Sequence, residues 1–384
     1  MYAGYRRCVN YKMAVSRNTN IDVFFNLVRA GLWEQDVQLA LYGIIDFNEV
    51  YRLAEEQSVV GLVAAGIEHI VDVKVSQEVA LTFVGSALQL EQRNKAMNQF
   101  IGVLIEKLRA ADIYTLLVKG QGVAQCYERP LWRAAGDIDF YLSNTNYEKA
   151  KALLIPLAKS IDSEDKGRLH VGMTIGSWVV ELHGTMHAGI SRRMNKVSDD
   201  VHHNIFYSGN VRRWNNNGVQ VFLPSPNNDI IIVFNHFITH FYGEGIGLRQ
   251  ICDWCRLLWT YKESINHGLL ESRIRKMGLT SEWKTFASFA VGWLGMPIVA
   301  MPFYSSDNIW ARKASKIAEH IIETGSFGLK KDNSYRMKNS RWKVYFITMY
   351  MRTGEFWKIA KIFPRNSIFF FLNYMRSRVR VILQ

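Results

Sequence analysis

The stretch that decides the fold is Gly136-Asp137-Ile138-Asp139-Phe140-Tyr141-Leu142, in which two acids alternate with apolar residues. Successive side chains of a β-strand point to opposite faces of the sheet. The stretch therefore predicts a strand with Asp137 and Asp139 on one face and its apolar side chains on the other. Two neighbouring carboxylates repel each other, and a divalent cation such as Mg²⁺ is the usual partner that holds them together. Two solvated acids at the edge of a sheet are the alternative interpretation.

A second alternating stretch, Trp178-Val179-Val180-Glu181-Leu182-His183, supplies a third carboxylate. Glu181 and His183 share one face, and an acid within an apolar strand is costly unless it is paired or bound to a metal. If the two strands are neighbours, Glu181 lies near Asp137 and Asp139. Three such carboxylates can hold two Mg²⁺ ions, one of which activates an attacking oxygen while the other stabilises a leaving phosphate. We therefore predict that these three acids are the metal ligands and the catalytic residues.

A turn that could bind an anion precedes both stretches. The short β-prone run 114–118 ends at Lys119-Gly120-Gln121-Gly122, and a helical pattern follows to Tyr127. Glycines let the backbone approach a ligand, and a helix N-terminus offers free N–H groups to phosphate. The P-loop spacing is absent, and an ordinary strand-to-helix turn is the alternative. Arg133 and Gly136, on the loop that leads to the first acidic strand, are further candidates for contact with phosphate.

Helical periodicity surrounds this small group of strands. We predict an α+β fold in which a mixed-sheet core (106–225) lies between an N-terminal (20–105) and a C-terminal (226–325) helical region. A flexible N-terminal tail (1–19) precedes them, and a basic, aromatic-rich loop with further helices (326–384) follows.

The composition is that of a folded protein, since 48% of the 384 residues are hydrophobic. A chain of this size can bury a large core, which excludes disorder and a disulfide scaffold as overall descriptions. The net charge of +13 favours an anionic partner. Residues 341–384 hold nine Lys or Arg and one acid, interspersed with aromatic residues. This tail predicts a membrane-surface helix or a nucleic-acid surface, and a helical cap with exposed basic residues is the alternative.

The sequence favours a cytoplasmic location, at the inner face of the membrane if the tail binds lipid. No apolar signal segment is apparent at the N-terminus, where Met13 is an alternative start, and the four cysteines are sparse. Cys252 and Cys255 form a CxxC without a second pair, so we expect two thiols on one helix face rather than a metal or redox site. The uncharged stretch 285–306 is long enough to span a membrane. Its prolines and glycines favour instead a buried helix that ends near Gly295.

Four segments resemble the uncharacterised bacterial nucleotidyltransferase family within the DNA polymerase beta-type nucleotidyltransferase superfamily. They are LLVKGQGVAQCY (116–127), RPLWRAAGDIDFYL (129–142), VVELHGTMH (179–187) and HFITHFYGEGIGLRQICDWCRLL (236–258). The positions that match the family pattern are Lys119, Gly120, Tyr127, Pro130, Arg133, Gly136, Asp137, Asp139, His170, Glu181, His183, His236, Gly247, Leu248, Arg249 and Asp253. The wider superfamily has Gly-Gly or Gly-Ser at the triphosphate turn, where this chain has Lys-Gly-Gln-Gly.

The resemblance implies transfer of a nucleoside monophosphate from a nucleoside triphosphate, such as ATP, to an acceptor hydroxyl, with release of pyrophosphate. It implies that Asp137 and Asp139 bind the Mg²⁺ that grips the triphosphate and that Glu181 helps to hold a second Mg²⁺. Lys119 and the N–H groups after it would neutralise the β and γ phosphates. Five further residues are predicted to be acceptor-site or structural residues: His170, His183, His236, Arg249 and Asp253.

Alternatives to this interpretation stay open at the level of the sequence. His236 and His240 share a helix face at i, i+4 spacing, as do Arg249 and Asp253, for which a helical ion pair is the simpler explanation. The acceptor is a small molecule or a protein, and the base of the nucleotide and the oligomeric state are not implied. The alternative function is a non-catalytic nucleotide- or nucleic-acid-binding module that retains the fold.

Overall fold

The computed structural model describes residues 19–188, 191–243, 245–325 and 353–382. The predicted N-terminal tail, apart from Thr19, and residues 326–352 of the predicted basic region lie outside these ranges. The proposed domain boundaries therefore stay predictions.

A five-stranded sheet forms the centre of the fold. Its strands are β1 (Thr115–Val118), β2 (Asp137–Leu142), β3 (Ala158–Ile161), β4 (His170–Ile175) and β5 (Trp178–His183), in the spatial order β1-β2-β5-β4-β3. β2 and β5 are parallel, and the other three pairs are antiparallel. The predicted α+β class with a mixed sheet is confirmed.

One face of the sheet is apolar and covered. Ile138, Phe140 and Leu182 are fully or almost fully buried there. Two helices and a separate hairpin pack on this face: α4 (Gln77–Ala110), α6 (Asn144–Leu154), β6 (Val211–Asn216) and β7 (Val219–Pro224). The hydroxyl of Ser143 accepts a hydrogen bond from the backbone N–H of Asn146 and so marks the start of α6. The alternation read from the sequence therefore turns the acids of β2 toward the opposite face.

The N-terminal helices are α1 (Thr19–Trp33), α2 (Phe47–Glu56) and α3 (Val60–Glu68). α1 and α3 touch backbone to backbone, because a Cβ atom at Gly31 would lie 1.9 Å from the carbonyl oxygen of Leu62. A Cβ atom at Gly66 would likewise lie 2.0 Å from the carbonyl oxygen of Leu27. Only glycine permits this approach.

The remaining helices share one apolar core with α1–α3. They are α7 (Arg192–Phe206), α8 (Pro226–Tyr242), α9 (Leu248–Thr260), α10 (His267–Met277), α11 (Thr280–Leu294), α12 (Asn308–Thr324) and α13 (Pro364–Ile382). As predicted, α11 is a buried helix that ends before Gly295, which has a left-handed conformation with φ of 67°. Among the described helices, none combines the length and the apolarity needed to cross a membrane.

Buried polar side chains join these helices to the sheet region. Arg256 on α9 donates to the carbonyl oxygen of Cys126 at 2.7 Å and to that of Leu32, near the end of α1, at 2.9 Å. Gln57, just after α2, donates to the carbonyl oxygen of Ile321 in α12 and accepts from the backbone N–H of Leu248. Helices from both ends of the chain are thus held together against the centre.

Two strands and one helix boundary differ from the pattern read in the sequence. β3 and β6 were not predicted, because neither has a regular apolar alternation. β3 is mostly exposed and its pairing with β4 shifts register between Ala158 and Ser160. The helix after the anion turn, α5 (Gly120–Ala124), has only five residues and ends before Tyr127.

Candidate active site

The register of the sheet brings the three predicted carboxylates together. Asp139 on β2 and Glu181 on β5 are direct partners in the parallel pair. Asp137 lies two residues before Asp139, on the same face. One carboxylate oxygen from each of the three lies within 4.8 Å of those of the other two.

The negative charge of this cluster is visible in the pKa of Asp137. The charge of Asp139, and then burial, raise the pKa of Asp137 above its ordinary value. The cluster therefore favours a positive partner, and its donors are the hard oxygen ligands that Mg²⁺ prefers. The residues present fit a divalent ion.

Lys119 is the nearest cation to the cluster. Its Nζ lies 2.5 Å from Oδ1 of Asp139. Burial alone would lower the pKa of Lys119, but the charges of Asp139, Asp137 and Glu181 outweigh burial and raise it. Lys119 is therefore protonated at neutral pH.

Lys119 reaches the acids from a strained turn. Its φ of 57° is uncommon for a residue with a side chain. The next residue, Gly120, has φ of 35°, and a Cβ atom there would lie 3.3 Å from the carbonyl oxygen of Asp137. The turn is thus packed closely against the first residue of β2.

Two histidines flank the carboxylates on the β5 side. Nε2 of His183 lies 2.8 Å from Oδ1 of Asp139 and 3.3 Å from Oε2 of Glu181. Nε2 of His170 lies 3.2 Å from the same Oε2 atom, and the two imidazole rings stack with centroids 4.7 Å apart. Burial would raise the pKa of Glu181, but its contacts with the two histidines lower it well below its ordinary range. Burial would lower the pKa of His183, and its contacts with Asp139 and Glu181 raise it overall.

The cluster opens into a cavity of about 600 Å³. The opposite wall is formed by α8 and α9 and includes His236, His240, Asn235 and Gln250. Burial, together with the nearby charge of Lys119, lowers the pKa of His236 well below its ordinary value, so this imidazole is neutral. The cavity is of the size that binds small molecules and cofactors. Its α8–α9 side combines the neutral imidazole of His236 and the amides of Asn235 and Gln250 with the charged pair of helix residues Arg249 and Asp253.

Arg133 faces Asp253 across the base of the cavity. Its Nε donates to Oδ1 of Asp253 at 2.8 Å and its Nη2 to Oδ2 at 2.7 Å. The hydroxyl of Tyr127 also donates to Oδ1, at 2.8 Å. One turn earlier in α9, Arg249 donates to the carbonyl oxygen of Ala134 at 2.9 Å. These contacts fix the loop that leads into β2.

The anion turn is split between the cavity and the interior. Lys119 and Gly120 line the cavity, as does Gly136, which has open space at its Cα. Gln121 instead is buried and donates to Oδ1 of Asn94 on α4 at 2.8 Å. Gly122 packs against Leu223, whose Cδ2 would lie 2.9 Å from an added Cβ.

Sequence reasoning missed two kinds of site residue. The first is Asn94, whose amide donates to the carbonyl oxygens of Leu131 and Arg133 and so supports the loop before β2. The sequence signal that could have identified Asn94 is a polar residue on the largely apolar, buried face of a long helix. The second is the pair Asn235 and Gln250 on the cavity wall, which have no comparable signal in the sequence.

One of three comparisons with known proteins found a match, and it agrees with this geometry. Residues 44–295, about two thirds of the chain, match the family described as uncharacterised nucleotidyltransferase. Comparison with curated proteins gives no match, and comparison with solved structures gives none. The matched segment contains β1–β7 and all the acids and histidines described above. The chain therefore belongs to the uncharacterised nucleotidyltransferase family.

Proposed function

We propose that this protein is a metal-dependent nucleotidyltransferase that moves a nucleoside monophosphate from a nucleoside triphosphate to an acceptor hydroxyl. The observation that carries the proposal is the convergence of Asp137, Asp139 and Glu181 at the edge of a 600 Å³ cavity with Lys119 beside them. In the reaction, the acceptor oxygen forms a bond to the α-phosphorus and loses its proton to solvent. The bond from that phosphorus to the bridging oxygen breaks, and pyrophosphate leaves.

Asp137, Asp139 and Glu181 would hold Mg²⁺, and two ions fit the number of carboxylates. Bound Mg²⁺ would polarise the phosphates and lower the pKa of the acceptor hydroxyl. The residues that hold it sit on rigid strands, so the acids are positioned before substrate arrives.

Lys119 is the proposed contact for the β and γ phosphates, because it is protonated and lines the cavity. α5 has only five residues, so its dipole adds little and the side chain of Lys119 carries this role. Arg133 is proposed to position the loop before β2 rather than to contact the phosphates. Two of its nitrogens are bound to Asp253, and it holds the Ala134–Gly136 loop against the cavity.

The acceptor is proposed to be a small hydroxyl compound, since the cavity is enclosed by α8 and α9 and offers neutral polar groups such as Asn235. A protein acceptor, and a non-catalytic nucleotide-binding module, are the other outcomes of the test below. ATP is the nucleotide to try first.

Association with an anionic membrane surface is proposed for the C-terminal helix. In α13, Ile368, Phe369 and Leu372 are each about half exposed or more, next to a basic sequence. Such a helix can lie in the interface of an anionic bilayer. Salt-dependent binding to anionic liposomes, lost when the chain is truncated at 340, tests this. Equal binding by the truncated chain would exclude it.

The enzyme assay uses α-³²P-labelled nucleoside triphosphates, fractions of cell lysate and Mg²⁺. We expect the label to appear on a small molecule, together with pyrophosphate, and both to be lost with Asp139→Asn. Glu148→Gln is the matched control, because Glu148 lies on α6, on the other side of the sheet, and is 59% exposed. Label on protein would change the acceptor. Nucleotide binding without any transfer would favour the non-catalytic alternative.

A further inference from the structure

The two histidines and Glu181 form a second set of possible ligands beside the three acids. His170 on β4 and His183 on β5 are direct partners in the antiparallel pair, and Glu181 lies two residues before His183. Ligand atoms of the three residues lie within 4.8 Å of one another. Both Nε2 atoms approach the same carboxylate oxygen, Oε2 of Glu181.

Two of the three distances among these ligand atoms match those between ligands of one ion, and the third is at most 4.8 Å. Nε2 of His170 and of His183 lie 3.2 and 3.3 Å from Oε2 of Glu181. Both distances exceed the commonest N–H···O hydrogen bond of about 2.9 Å. Two ligands of a tetrahedral ion bound at about 2.0–2.1 Å lie about 3.3 Å from each other.

We propose that His170, Glu181 and His183 bind a transition-metal ion of the Zn²⁺ class. This ion would take the place of the second Mg²⁺ that Glu181 would otherwise help to hold, next to a Mg²⁺ position at Asp137 and Asp139. Imidazole nitrogens favour Zn²⁺ and related ions, whereas Mg²⁺ prefers oxygen ligands alone. Two histidines and one glutamate are three protein ligands, which leaves a position open for water or a substrate oxygen. Asp139, whose Oδ1 is 2.8 Å from Nε2 of His183, connects the two positions.

An ion can reach these residues from solvent. The side chains of His170 and Glu181 are 35% and 26% exposed, and both line the cavity together with His183. The role of this ion in the transfer of the nucleotide rests on the proposed function, but its binding does not. It follows that the ion is measurable in the absence of nucleotide and acceptor.

Titration of the chelator-treated full chain with Co²⁺, without nucleotide, tests the proposal. We expect a visible d–d absorption typical of a four- or five-coordinate site, and at least about a tenfold loss of Co²⁺ affinity in His170→Gln. His187→Gln is the matched control, because His187 also lines the cavity and its Nε2 also contacts a carboxylate, that of Asp199, at 2.6 Å. This control should bind Co²⁺ as the unchanged protein does.

A second measurement avoids any substitution. Pulsed EPR of the unchanged protein loaded with one equivalent of Cu²⁺ should show couplings to imidazole nitrogen. Equal Co²⁺ affinity and absorption in His170→Gln and the unchanged protein would overturn the proposal, as would the absence of nitrogen coupling.

The failures of the two proposals are distinguishable. Co²⁺ binding that depends on His170 but no nucleotide transfer under any condition would retain the metal site and exclude the proposed function. If nucleotide transfer requires Asp139 but the affinity for Co²⁺ is unchanged in His170→Gln, the proposed function is retained and the proposed metal site is excluded.

Discussion

Replacing Arg133 by methionine should destabilise the protein strongly, because Arg133 and Asp253 form a buried, bidentate ion pair. The two residues are only 7% and 5% exposed, so water cannot replace the lost contacts. The change removes two hydrogen bonds to a carboxylate, at 2.8 and 2.7 Å, each worth about 1.5–3 kcal/mol. It also leaves the charge of Asp253 buried. Breaking one partner of such a pair costs about 3–5 kcal/mol, and we expect a loss of that size in the free energy of unfolding.

The assay is urea unfolding followed by tryptophan fluorescence. The control is Arg275→Met, the same chemical change in a pair with Glu271, where Arg275 is 72% exposed, and its effect should be about 0.5 kcal/mol or less. In the double variant Arg133→Met, Asp253→Leu, part of the loss should be recovered because no charge stays buried. The recovery is incomplete because the buried hydroxyl of Tyr127 loses its acceptor. Equal stability of Arg133→Met and the unchanged protein would refute the reasoning, and a specific loss of nucleotide affinity would then identify Arg133 as a phosphate contact.

Three further predictions concern single positions. Asp137→Asn should raise the free energy of unfolding of the metal-free protein at neutral pH by about 0.5–2 kcal/mol. Since the folded-state pKa of Asp137 is raised, this gain should shrink once the pH falls below that pKa and vanish below the pKa of the unfolded state. Melting curves in which the gain in stability grows as the pH falls would contradict the prediction. Gly66→Ala should lower the free energy of unfolding by about 1–3 kcal/mol, because the added Cβ would clash with the carbonyl oxygen of Leu27. The control Gly85→Ala, at a position of α4 with open space around it, should raise the free energy of unfolding by about 0.5–1 kcal/mol. Equal unfolding midpoints of the two variants would refute the close contact. Burial raises the pKa of the Cys252 thiol well above its ordinary value, so this thiol should resist alkylation by iodoacetamide until the protein is unfolded. Mass spectrometry of the treated native protein measures this, and rapid alkylation of Cys252 in the native protein would disprove it.

The part of the site that lies on single strands could be predicted from the sequence. The period of two in β2 and β5 is a local property, and it placed Asp137, Asp139, Glu181 and His183 on one face. That the two strands are neighbours was an assumption, which the register of Asp139 with Glu181 supports. Burial of the alternate apolar residues fixes that register, because a shift by one residue would turn the acids into the core.

The rest depends on contacts between distant segments, which carry no local pattern. Asp253 has a helical neighbour at i−4, yet the structure pairs its carboxylate with Arg133, 120 positions away. β6 begins Val211-Arg212-Arg213, and only its pairing with β7 makes it a strand. The sequence likewise does not show that the side chain of Gln121 points into the interior, because this depends on its hydrogen bond to the buried amide of Asn94 in α4.

The cavity is built from segments that a ribosome releases at different times. The sheet with its three acids is complete once residue 183 has been synthesised, but the opposite wall and the partner of Arg133 come from α8 and α9. Domains generally fold from the N-terminus during synthesis. A nascent chain that stops before Pro226 therefore displays the acids without either helix of the opposite wall. The proposed nucleotide transfer must then wait until α8 and α9 have been synthesised and have docked.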